Sequence, residues 1–248
     1  MESKPQELPT LDRPEERLAF FEHARDQLAG LVAGPVRTPA TYRAEELPKP
    51  PLYLSLLALH AAAGRRLPNP SDQECILDYT WQREKEAWKR CLEPWMESQG
   101  IRNWAMDPVL KRLEKLSALA TLGRPFPDAP ALAKFCQAHF LPIRNAVGQT
   151  LDMQMLAAQL PAVFPQAQGT LIPPIEPDPL ADYVLRQVLP GEPGWIELAL
   201  PAETEIKAEP RASAEQAWKV LATLMRLWGG TADEARRRQA ADWVERAV

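Results

Sequence analysis

Apolar positions in this chain step mainly by three and four, the spacing of one face of a helix. Leu18, Phe21 and Leu28, running on to Leu31-Val32, form one such stripe behind Pro14-Glu15-Glu16, and Gly34-Pro35 ends it. Proline suits the first turn of a helix and the two acids suit its dipole, so the start is well marked. Residues 1–13 are polar and Pro-punctuated, the pattern of a loose tail. Residues 35–50 read as an extended loop with four prolines. Residues 51–63 are then apolar nearly all round, which predicts a helix buried on most sides and ended by Gly64-Arg65-Arg66.

Ser71-Asp72-Gln73-Glu74 has the spacing of a capping box, with Ser71 as the expected cap. The helix behind it carries Ile76, Leu77, Trp81, Trp88 and Leu92 on one face. Arg83, Glu84, Lys85, Glu86, Lys89 and Arg90 mark the other, the pattern of a solvated face with i,i+4 pairs. Val109, Leu110, Leu113, Leu116 and Leu119 predict a helix from Asp107-Pro108 to Leu122, stopped by Gly123. Further helices are expected over 129–139, over 152–160 and from Asp178 to Leu189. Gly169-Thr170-Leu171-Ile172-Pro173 is the best strand candidate, and Trp195–Leu200 reads as a second strand or an ordered linker. Two amphipathic helices close the chain, Ser213–Trp228 and Thr231 to the end, with Gly229-Gly230 as the turn of an αα-hairpin.

Composition sharpens this picture. The 26 prolines against 11 glycines fall mostly between the apolar stretches, which argues for short helices joined by stiff corners. A net charge of −4 with interspersed signs gives no reason to expect nucleic acid or an anionic membrane as partner. No apolar run approaches the ~18 residues that a membrane span needs. The start, Met1-Glu2-Ser3-Lys4, lacks the basic and apolar regions of a signal peptide, and Cys75, Cys91 and Cys136 are odd in number and widely spaced. A cytoplasmic protein without disulfides is the expectation.

The chemistry-bearing motifs are few. No G-x-x-x-x-G-K-[ST], G-x-G-x-x-G or G-x-S-x-G occurs, so no phosphate cradle or nucleophile elbow is expected. His23, His60 and His139 lie far apart; His60, on an apolar helix, reads as a hydrogen-bonded core histidine. Cys136 and His139 stand three apart without a second ligand pair, so no metal site is expected. Arg236-Arg237-Arg238 is flanked by acids and reads as a solvated face. Trp81 and Trp88 share a helix face that Trp95 continues; they are either core or, as candidate interaction residues, an aromatic docking face.

Two Pro-anchored segments carry a resemblance. Pro50-Pro51-Leu52-Tyr53-Leu54-Ser55-Leu56 resembles the Gly-Leu-Pro-Leu-like turn that opens the helical domain of STAND-class ATPases, the NACHT and NB-ARC switches. The helix Leu77–Trp88, the step Leu119-Ala120-Thr121-Leu122-Gly123 and the acidic start Ile172–Leu180 are similar to the winged-helix region of bacterial members. The resemblance covers residues 14–190, downstream of where the P-loop domain would end. It implies that Pro50, Pro51 and Leu52 face adenine or the P-loop domain, and that residues 177–189 join a winged helix to repeats. The Walker lysine, the magnesium-binding acids and the Met-His-Asp motif have no counterparts, so no ATP hydrolysis and no cofactor are expected of this chain alone. ADP or ATP would be held only with a P-loop ATPase domain supplied in cis or trans.

The expected fold is mainly α: a helical bundle over 14–70, a winged-helix-like domain with a small β-wing over 71–190, a linker over 191–211, and a helical hairpin over 212–248 that could open a repeat array. The expected function is a non-catalytic regulatory module of a STAND-type signalling switch, with the P-loop domain and effector or repeat domains as partners. A winged-helix DNA-binding regulator is the alternative, for which Lys111, Arg112 and Lys115 are the obvious cations. A helical adaptor without a nucleotide link is another.

Overall fold

The computed structural model describes residues 11–30, 42–65, 67–98, 106–145, 148–165, 167, 169–188, 194, 198–201, 203–228, 234 and 238. Among them the chain is mainly helical, with nine α-helices and one 3-10 turn. It divides by its contacts into two units, Met1–Arg83 and Glu84–Val248.

In the first unit, α1 (Pro14–Ala29) packs on α2 (Pro51–Ala62). Phe21 is the deepest side chain of α1 and meets Tyr42 edge-on at 5.6 Å. Arg17 is also buried and donates from its guanidinium to the Leu47 carbonyl, a contact no apolar pattern announces. Pro51 occupies the first turn of α2, where its missing N–H costs nothing. Leu54, Leu57 and Ala58 are fully buried, as an all-apolar helix requires. Gly64, at φ +62°, ends the helix: its N–H bonds the Ala61 carbonyl and Arg65 N–H reaches back to His60. That paired arrangement satisfies two carbonyls otherwise left open at a helix end.

The long helix α3 (Gln73–Ser98) runs through the division between the units. Its cap is Asp72, not the expected Ser71. Asp72 Oδ1 accepts from Cys75 N–H at 3.1 Å, while the Ser71 N–H and hydroxyl both go to Asn69 Oδ1. Pro94 does not stop α3, which continues another turn to Ser98.

In the second unit, α4 (Met106–Thr121) buries Val109, Leu113, Leu116 and Leu119. It ends at Gly123, φ +98°, in the same paired arrangement as α2. Asp128 caps α5 (Ala129–His139) through Ala131 N–H, and Asp152 caps α6 (Met153–Val163) through Gln154 N–H, each at 2.8 Å. α5 packs on α6, and α7 (Asp178–Val188) packs on α4. The short α8 (Glu203–Ala208) lies against α9 (Pro210–Trp228).

No strand forms among the described residues; a single antiparallel bridge joins Arg144 and Thr150. The strand expected over Gly169–Pro173 is irregular instead. Leu171 N–H makes one rung to the Phe126 carbonyl at 2.8 Å and Ile172 is buried, but Pro173-Pro174 remove the next donors, so no ladder extends. Residues 195–197 lie outside the described residues, and Leu198-Ala199 are helical. The last expected helix, from Thr231, also lies almost wholly outside them. No described helix is long and apolar enough to cross a membrane.

Candidate functional site

Pro50, Pro51 and Leu52 are half-buried at the head of α2. Pro50 takes extended geometry at φ −71° and ψ 129°, and Pro51 begins the helix, so the turn is rigid and presents no N–H at either position. The tryptophans divide differently. Trp81 and Trp88 are buried at 3% and 5% exposure, and Trp88 packs edge-on against Phe164 at 5.4 Å. Their rings are therefore covered by this chain's own packing. Trp95 is half-buried, and Trp218 on α9 stands 69% exposed.

His60 lies 1% exposed on α2 and its bonding fixes its tautomer. Thr80 Oγ1 donates to the Ile76 carbonyl at 2.7 Å, so its proton is spent and its lone pairs face His60 Nε2 at 3.0 Å. Nε2 must then carry the hydrogen, leaving Nδ1 to accept from the Arg65 guanidinium at 3.4 Å. Tyr79 closes edge-on over the ring at 4.8 Å, with Arg83 donating to its hydroxyl. Burial, with Arg65 and Arg83 nearby, lowers the His60 pKa from 6.5 to about 4. The imidazole is thus a neutral structural connector at neutral pH.

α7 is held from two sides. Leu180, Ala181, Val184 and Leu185 are buried on its apolar side. On its acidic side the Arg226 guanidinium of α9 reaches Asp182 at 2.7 Å and Asp178 at 3.2 Å. A second arginine, Arg124 just past α4, makes a two-pronged bond to Glu205 of α8 at 2.7 and 2.9 Å and donates to the Leu200 carbonyl at 3.1 Å. Neither arginine was singled out by the sequence, because their partners stand 44 to 81 residues away.

A cleft of about 580 Å³ opens beside α5 and the head of α6. Arg112, from α4, forms part of its wall: its guanidinium lies 4.4 Å over the Phe140 ring and donates to the Leu141 carbonyl at 2.7 Å. Of the three cations that a DNA-reading α4 would offer, this one is thereby turned to the cleft. Lys134 of α5 also lines the cleft, as does Asp152, whose carboxylate is engaged by Gln154 N–H. The connection between α5 and α6 is braced. Leu151 N–H bonds the Ile143 carbonyl at 2.9 Å, Gln149 N–H bonds Asn145 Oδ1 at 2.9 Å, and Ile143 and Leu151 are buried.

Among the described residues no group of three or more His, Cys, Asp or Glu is placed to hold a metal. Cys136 is buried, Cys75 half-buried and Cys91 exposed, all as thiols. Burial pushes the Cys136 thiol up, with Arg112 beside it pulling the other way. His139, exposed, lies against the Phe135 ring at 4.7 Å. No family model, curated protein or solved structure matches this chain.

Proposed function

We propose that this chain is a non-catalytic regulatory module of a STAND-type nucleotide switch, which converts the state of a P-loop domain into rearrangement or assembly. The observation that carries this reading is the setting of α7. A Pro-Asp-Pro-Leu helix start is packed by its apolar side on α4 and gripped through Asp178 and Asp182 by Arg226 of α9. An element tied both to a helical core and to the following long helix is suited to pass a displacement onward. The stiff Pro50-Pro51 turn adds support, since an apolar surface without N–H groups can meet an adenine face with nothing left unsatisfied. The winged-helix-like part would span residues 71–190, from α3 to α7, with the irregular stretch 169–175 in the place of a wing. Its support is that α5 packs on α6 and that Leu171 makes one strand-like rung to Phe126.

The test is to isolate the native product from its source cells with an antibody raised against residues 71–190, in ADP and in ATP with magnesium. The expected product is either much larger than 27.8 kDa and carries a P-loop, or matches 27.8 kDa and holds a P-loop ATPase in one nucleotide state only. A 27.8 kDa product that retains no P-loop ATPase in either nucleotide overturns the proposal.

A further inference from the structure

We infer that the outer face of α9 is a self-association surface, on which a second copy of this chain lies antiparallel to the first. Trp218 is 69% exposed and Met225 63% exposed. Seven residues apart on one helix, they share a side, and exposed Ala214 and Ala222 with half-buried Leu221 complete the strip. The opposite side of α9, where Val220 and Leu224 are fully buried, is the one that packs on this chain. A tryptophan and a methionine left in water on such a strip mark an interaction surface. Positions 214, 218, 221 and 225 step by four, three and four, the spacing of a seam by which two helices pair along their length.

Size and charge together select a second copy as the occupant, and antiparallel as its direction. A two-fold interface needs a surface that complements itself. With the axis near residue 220, Trp218 of each copy lies against Ala222 of the other and Met225 against Ala214, large on small at both levels. Pairing in the same direction would set Trp218 on Trp218 and Ala222 on Ala222, a bulge beside a gap. At the carboxyl end of the strip Arg226 serves two carboxylates, Asp178 and Asp182, so negative charge is in excess there, and Asp178 is 77% exposed. At the amino end Arg211 is 96% exposed and held only by a 3.6 Å contact with Glu215 in the same helix, a surface pair that contributes little. The antiparallel arrangement turns Arg211 toward Asp178 and Glu215 toward Arg226 of the second copy, so each charge meets its opposite. One helix face makes a small interface, so the dimer is weak, half associated at roughly 10–100 µM. The pairing needs no P-loop domain.

Sedimentation equilibrium of the full chain, from roughly 1 to 500 µM, tests this directly. The native mass is expected to climb from 27.8 kDa toward twice that value across the range. Trp218→Glu should raise the dissociation constant at least about tenfold. Its side chain is exposed, so the fold is kept, as an unchanged circular dichroism melt at low concentration would verify. Trp218→Ala and Ala222→Trp should each weaken association, the first by emptying the contact and the second by crowding it. Combined in one chain they exchange large for small across the axis and should restore it. A native chain that stays monomeric throughout would overturn the inference and leave the face to a different protein. A dimer indifferent to Trp218→Glu, or a combined variant no better than its two parents, would overturn it as well.

Discussion

His60 shows how a single residue ties chemistry to stability. Its lowered pKa, about 4, means the folded chain resists protonation where the unfolded chain, near 6.5, accepts it. Between those values the unfolded state binds more protons, so stability rises with pH through that window. The contribution is complete above about 6.5 and is lost as the pH falls towards 4, amounting to about 3 kcal/mol. Urea unfolding of the native and His60→Leu chains at pH 7 and pH 4 checks this: the native chain should lose about 3 kcal/mol more over that interval. Equal losses would remove His60 from the account. Gly123 is the other telling residue. A Cβ there would meet Lys219 and Gln216 at 3.5 Å or more, ordinary contact, so space is not the obstacle. Its φ of +98° is. Gly123→Ala is expected to cost about 1–2 kcal/mol, seen as a lower urea midpoint at unchanged slope. The stops at Gly64 and Gly123 were legible in the sequence because a left-handed residue at a helix end is a local requirement.

For whole elements, legibility followed the range of the deciding interaction. The helices headed by Pro14, Pro51 and Asp178 could be read because their start signals and apolar periods lie within the helix itself. The start of α3 went to a neighbour. Ser71 and Asp72 are both good caps, and the choice between them is made by Asn69, which takes up the Ser71 N–H and hydroxyl and leaves Asp72 to cap. Asp72→Ala should therefore destabilise by about 1 kcal/mol and Ser71→Ala by distinctly less, as thermal melts of the two variants would show. The segment Gly169–Pro173 failed as a strand for a related reason. Its residues suit a strand, but a strand is defined by its partner, and only one rung to Phe126 is available. The cleft was illegible altogether, since α4 supplies Arg112, α5 and its end supply Lys134 and Phe140, the start of α6 supplies Asp152, and no spacing rule connects the three.

At the level of the whole molecule the long-range arginines matter most. Arg226 is 43% exposed and Asp182 20%, so solvent screens their attraction and the pair stabilises only modestly. A double-mutant cycle with Arg226→Ala and Asp182→Asn is expected to give a coupling of about 0.5–1 kcal/mol that fades in 1 M salt. A coupling near zero at low salt would detach α9 from α7 and weaken the case for transmission along that route. The three thiols lend this molecule a clock of its own. Cys91 stands in solvent on α3, Cys75 is half-covered and Cys136 is buried on the inner face of α5. A maleimide pulse should therefore tag Cys91 at once and Cys75 more slowly. Cys136 should be tagged only when α5 lifts away, so peptide mapping of the label against time reads local and global opening from one unaltered chain.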